Sequence, residues 1–226
     1  MHLKGKQRLF LVAAAVVAVI VAFTLINSRN SSGQHPAAVA PTATGTAGPL
    51  VLTTATPLEL STIRSWNLTP GDMPAGTVLF NTTEIPLSAV AQNDPKAERQ
   101  LEAEGFVTAY QQQWRQTDAQ FQFADETDLY QTAAEARTHM MAKPQLPATS
   151  VVQELPDPKI GDASRMYGVT TNPAGGPQQQ AFVVAWVRGR ALLFVTSASP
   201  PGALTSDQIV ALAKAKDKLA AAKPLQ

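Results

Sequence analysis

Hydrophobic positions along this chain fall into three regimes. The first is an unbroken run, Leu9 to Ile26, in which Thr24 is the one polar residue among eighteen positions. At 1.5 Å per residue a helix of that length spans about 27 Å, close to the roughly 30 Å hydrocarbon core of a bilayer. Lys4, Lys6 and Arg8 precede the run and Arg29 follows it. That bias puts the N-terminus in the cytoplasm and everything after Arg29 outside. The run exceeds the about 7–15 apolar residues of a cleaved signal. The nearest small-x-small motif, Ala38-Val39-Ala40, is distant and followed by Pro41. The pattern predicts a cytoplasmic stub (1–8) and one uncleaved transmembrane helix (9–26).

The second regime, 27–57, is Ser, Thr, Ala, Gly and Pro with no apolar periodicity (SSGQHPAAVAPTATGTAGP). Such a stretch buries too little apolar surface to offset its ordering entropy, and it predicts a disordered or semi-extended tether. The third regime, 58–226, carries alternating strand and helix periods.

There, Trp66 to Gly76 is dense in turn signals and Thr77–Phe80 predicts a short strand. Asp94-Pro95 starts a helix that ends at Gly105. Phe106–Arg115 (FVTAYQQQWR) alternates with period two, placing Phe106, Tyr110 and Trp114 on one face with Thr108 and Gln112. Ala119–Asp125 alternates again, with Phe121 and Phe123 on one side, and pairs with it as a hairpin. Asp128 is expected to cap a helix (LYQTAAEARTHMMAK) whose Leu129, Ala133, Ala136 and Met140 form one stripe. Further strands are predicted from Val151, over Arg165–Thr170, over Gln178–Val187 (apolar on both faces, as in a central strand) and over Ala191–Ala198. Arg188-Gly189-Arg190 turns the last pair. Thr205 or Ser206 caps a final helix with Ile209, Leu212 and Leu219 on its apolar face and lysines near its end complementing the dipole. The expected fold is α+β: an antiparallel sheet of about six or seven strands with two or three helices packed on one face, preceded by the transmembrane helix.

Composition narrows the chemistry. The 226 residues include no Cys and 3 His, which excludes disulfides, thiolate catalysis and cysteine-ligated metals. It also leaves little material for a histidine-built metal site. Removing the four cations that flank the apolar run from the 18 Lys+Arg leaves 14 against all 17 Asp+Glu, a balance of −3. A slightly acidic domain lacks the basic footprint of a nucleic-acid binder. About 165 residues then remain for one domain, enough to bury roughly 70% of the unfolded surface.

The order of motifs carries a resemblance. Asp72-x-Pro74-x-Gly76, a helix, Gly105-Phe106-x-x-x-Tyr110, a second strand, a helix, Gly161-Asp162-x-Ser164, two strands joined by Arg188-Gly189 and a final helix resemble poorly characterised bacterial exported domains found on lipoproteins and membrane-anchored proteins. The element order is also similar to PsbP-like domains. The resemblance implies an exported α+β domain and brings no catalytic residue.

Several groups of residues are candidates for chemistry. Asp125, Glu126 and Asp128 are the densest acidic cluster, but calcium needs six to eight oxygens, usually from a glycine-containing loop. Helix capping is the expected role. Ser164 would need a base within reach, and His139 is the one histidine in 58–226. Asp72 with Glu84 or Asp162 would need to face one cleft about 5–10 Å apart for glycosidase chemistry. Asn30, Asn67 and Asn81 stand in glycosylation sequons. Gln111–Gln113 and Gln178–Gln180 are expected on polar, solvated faces. The aromatic face (Tyr110, Trp114, Phe121, Phe123, with Gln112) is the candidate ligand-binding surface, with core packing as its alternative.

No catalytic residue, metal or cofactor is predicted. The expectation is a single-pass cell-membrane protein whose extracytoplasmic domain binds an envelope protein or small molecule without performing chemistry. Partners are the membrane, through the N-terminal helix, and that ligand, with no nucleic acid. The alternatives are an envelope hydrolase or a structural subunit of an envelope complex.

Overall fold

The computed structural model describes residues 54–91, 95–116, 121–141, 150–171 and 177–225. The apolar run, the tether up to residue 53 and the Asp94 cap lie outside them. No helix among the described residues is long and apolar enough to cross a membrane.

Seven strands form one sheet: β1 (Thr77–Pro86), β2 (Phe106–Gln116), β3 (Gln122–Tyr130), β4 (Ser150–Leu155), β5 (Ala163–Thr171), β6 (Gln179–Arg188) and β7 (Ala191–Ser199). The order is β1-β2-β3-β7-β6-β5-β4 and every pairing is antiparallel. Two meanders thus meet back to back along β3 and β7. Among the described residues five helices accompany them: α1 (Pro57–Arg64), α2 (Leu87–Val90), α3 (Pro95–Ala103), α4 (Ala133–Met141) and α5 (Ser206–Ala222).

The helices do not share one face. On the first face α1 and α5 cover Trp114, Phe123, Trp186 and Leu193, joined by Trp66, Ile63 and Ile209. On the second face α2, α3 and α4 cover Phe106, Tyr130, Val183 and Phe194. The expectation of helices on one face is therefore corrected to a three-layer arrangement. The reason is visible in β7, whose nine residues are all buried, and in β6, where Phe182–Val187 are. Such strands need cover on both sides, because each apolar side chain moved out of water contributes about 1.5–3 kcal/mol.

Three local expectations change. The acidic cluster is not a helix cap: β3 continues through Tyr130, so Asp125, Glu126 and Asp128 sit inside a buried strand. The helix instead starts at Ala133. Thr132 caps it, its Oγ1 accepting from Glu135 N (3.2 Å) while Glu135 accepts from Thr132 N (2.8 Å), a reciprocal capping box. Phe106 leaves the aromatic face because the β2–β3 register shifts between Phe106 and Thr108. A bulge turns every side chain beyond it to the opposite face. The lysine-rich end of α5 is not uniformly solvated either, since Lys216 lies on the buried stripe with Ile209, Leu212, Ala213 and Ala220.

Glycine is required at Gly161, where φ is +60° and an added Cβ would stand 2.5 Å from Val187 O and 2.7 Å from Trp186 Cδ1. The turn there is closed by Asp162 N donating to Val187 O (2.8 Å), while Asp162 Oδ2 accepts from Gly189 N (2.7 Å). This stitching holds the start of β5 against the β6–β7 turn.

Candidate functional site

The predicted aromatic surface is placed mostly in the interior. Trp114 and Phe123 are sealed in the first-face core. Tyr110 and Phe121 are half-buried and pack on the same cluster. The Arg64 guanidinium lies over the Tyr110 ring, 5.5 Å from its centroid. Gln112 faces this side too. In the amide orientation its neighbours require, its nitrogen donates to Leu68 O (3.1 Å) and Asp125 Oδ2 (3.2 Å). The five residues are brought together, but over a charged centre rather than around an opening.

That centre is Lys216 Nζ on Asp125 Oδ1, 2.9 Å apart with both side chains wholly buried. Leu68 N donates to Asp125 Oδ2 (3.1 Å). The pair ties α5 to β3 and the chain after α1 to both. A buried charge keeps its partner because losing it would leave the other ion desolvated and alone.

Across the sheet, on the second face, lies a carboxyl pair. Gln113 donates to Gln111 Oε1, and Gln111 Nε2 donates to Glu126 Oε2. Gln111 is therefore buried in a polar chain, contrary to the expected solvated face. Burial, followed by the Glu126 charge, raises the Asp128 carboxyl well above its usual range. Burial also raises Glu126, against the lowering effects of its hydrogen bonds to Asp128 and Gln111. Like carboxyls this close share a proton rather than both ionising. Among the described residues no group of three or more His, Asp or Glu side chains is arranged to hold a metal ion.

The candidate catalytic partners are held apart. Ser164 pairs across from Trp186 on the first face and its hydroxyl binds Asp157 and Ile160 N. His139 stacks on Tyr130 on the second face (ring centroids 4.6 Å apart). Burial lowers its pKa, against the opposing charge of Glu104. Glu84, on β1, pairs with Arg64 of α1, and the Asp162 carboxylate accepts from Gly189 N. The Asp72 carboxylate closes its own turn on Thr69.

An opening does occur at one end of the sheet. A cavity of about 340 Å³ lies between the β6–β7 turn, the start of α4 and the segment after α5. Its floor is apolar: Trp66, Pro224 and Leu225. Trp66 Nε1 donates to Lys223 O (2.9 Å), fixing the last segment against the ring. Gln131, Thr132 and Ala133 form one wall, and Arg188, Gly189 and Arg190 the other.

Both arginines are anchored. Arg188 Nε and Nη2 donate to the two oxygens of Asp217 on α5 (2.9 and 2.7 Å), and Trp186 Nε1 donates to the same carboxylate (3.0 Å). That bidentate contact raises the Arg188 pKa further. Arg190 Nη1 donates to Tyr130 O (3.0 Å) and Nη2 pairs with Glu59. Glu59 also closes the capping box of α1 with Thr56, so the α1 start, the β3 end and the β7 start are clamped to one guanidinium. A guanidinium carries five donors. Among the described residues, the bonds named here use two on each arginine and leave three.

Sequence reasoning took Arg188-Gly189-Arg190 for a turn and Trp66 for part of a turn-rich approach. It missed them as a wall and floor because their neighbours come from segments over 50 residues away. Lys216 had a legible signal: it falls seven residues after Ile209 and four before Ala220, within the buried stripe. The Thr132-x-x-Glu135 capping box was equally legible.

No family model matches the chain, and no curated protein matches it. Among solved structures it is similar to the extracellular domain of PknH from Mycobacterium tuberculosis, at a TM-score of 0.44 and 10% identity, over 74% of this chain and 92% of that one. That overlap is too loose to transfer a function.

Proposed function

We propose that this chain is a membrane-held, extracytoplasmic binding domain of a bacterial envelope, without catalytic chemistry of its own. The observation that carries the binding part is the cavity at the sheet end, walled by two immobilised arginines over an apolar floor. Small-molecule sites combine an apolar surface with a few fixed polar groups in this way. The anchoring part rests on the run Leu9–Ile26 and its flanking cations. The hydrolase alternative gains nothing from the separated Ser164 and His139, or from Asp72, Glu84 and Asp162, each of which is bonded to a neighbour of its own.

The test is a fragment screen on the full chain in detergent, read by ligand-observed NMR and repeated on Ala133→Trp. Ala133 is exposed at the cavity wall, so the larger ring fills the opening without entering the core. Fragments that bind the parent and are lost in the variant support the reading. A screen in which no fragment depends on position 133 refutes it. Exposure outside the membrane is checked by adding protease to intact cells: a stable fragment beginning near residues 50–66 is expected, whereas a protected full-length chain overturns the topology.

A second reading has its own observation. The outer edge of β1 is unpaired by any other strand in the sheet, and Val78, Leu79 and Phe80 beside it are 45%, 43% and 41% exposed. An apolar edge of this kind suits strand addition by a partner protein in an envelope complex.

A further inference from the structure

We infer that the cavity at the sheet end takes the oxyanion of a small ligand, a carboxylate or phosphate head joined to a short apolar body. This rests on the reading of that cavity as a binding site and goes further by naming the chemistry it selects.

Arg188 and Arg190 flank Gly189, each held by a carboxylate: Asp217 for Arg188 and Glu59 for Arg190. Those carboxylates fix the orientation of the guanidiniums, and neither lines the cavity. The N–H groups left over belong to planar guanidiniums, whose geometry matches a carboxylate or phosphate better than a point charge does. Between them Gly189 leaves room: an added Cβ there would meet nothing within 4 Å. No Asp or Glu lines the cavity; opposite the arginines it presents Gln131, Thr132 and Ala133. Pro224 and Leu225 supply contact for the apolar body, with Trp66, 1% exposed, supporting them from beneath.

The nearby carboxylates Asp217, Glu59 and Asp162 outnumber the two arginines, so no positive field surrounds the cavity. Selectivity for an anion therefore has to come from the arginine donors at its wall. A pocket of about 340 Å³ lies at the small end of the usual ligand range of roughly 300–1,000 Å³. A single-ring acid fits that scale.

The test titrates the full chain in detergent with benzoate, benzamide and phenyl phosphate, using ligand-observed NMR. Benzamide keeps the ring and removes the charge. Expected is benzoate or phenyl phosphate binding at least tenfold tighter than benzamide. Whichever of the two binds more tightly identifies the head group. Ala133→Asp should weaken the anions tenfold or more while leaving benzamide unchanged. Asp at the first position of α4 favours the helix, so this variant keeps its fold. Arg188→Lys preserves a cation beside Asp217 but loses the fork, and should weaken anion binding at least fivefold. Equal binding of benzamide and both anions, insensitive to Ala133→Asp, overturns the inference while the cavity stands as a binding site. If none of the three binds, the inference also fails, and the fragment screen on Ala133→Trp decides separately whether the cavity binds anything.

Discussion

Replacing Lys216 with Met removes one ion and keeps the length of the side chain. Asp125 then stays wholly buried with only the Leu68 amide and Gln112 as partners. Breaking a buried pair from one side costs about 3–5 kcal/mol. The matched double variant, Lys216→Met with Asp125→Leu, removes both charges. Apolar replacement of a buried pair is neutral or stabilising by about 1–4 kcal/mol, but here it orphans the Leu68 N–H, which costs about 1–3 kcal/mol. The double variant should therefore lie within about 2 kcal/mol of the parent, and the cycle should show a coupling above about 3 kcal/mol. Urea unfolding of residues 54–226, followed by tryptophan fluorescence, measures all four proteins. Trp66, Trp114 and Trp186 are each at most 1% exposed, so the signal reports the first-face core itself. An unchanged slope against urea would confirm that the change lies in native stability. The single variant should also melt roughly 6–20 °C lower. A loss below about 1 kcal/mol, or a double variant as unstable as the two singles summed, would refute the idea that this pair pins α5 to β3.

Other outcomes follow from the same geometry. The folded chain holds a proton on the Glu126–Asp128 pair that the unfolded chain releases. That stability is full below the unfolded carboxyl range of about pH 4 and falls as pH rises. Asp128→Asn should flatten the fall of stability with pH above the unfolded carboxyl range relative to the parent. His139 contributes the opposite slope in both proteins and cancels in the comparison. Parallel curves for the two proteins would exclude the shared proton. Gly161→Ala should cost about 2 kcal/mol or more, from a left-handed backbone together with the approach to Val187 O; an unchanged melting temperature would contradict it. Trp114→Ala should cost about 3–5 kcal/mol as a core deletion, and a change under about 1 would return that ring to the surface.

Several elements were legible because they depend on local rules. The seven strands follow from period-two alternation and turn residues, with ends displaced by a few positions. Thr77–Phe80 was read as four residues and extends to Pro86 because Asn81–Glu84 are polar on an exposed edge, where pairing rather than burial defines the strand. The helix 95–103 and the Thr205 cap follow from capping and propensity. The missed helix 57–64 is short and lies where the tether was thought to end. Its Thr56-x-x-Glu59 box was the available signal.

By itself, the amino-acid order determined the strand periodicity, the two-sided character of β6 and the exclusion of cysteine chemistry, since each depends on residue type and near-neighbour spacing. Tertiary structure alone decided which faces the helices cover, that Asp125 meets Lys216 across 91 positions, and that two turn arginines face a loop 55 or more positions earlier. A polar residue in a strand reads locally as solvent-facing or capping. Whether it is instead buried and paired depends on what arrives from a distant segment, and no short-range pattern carries that information.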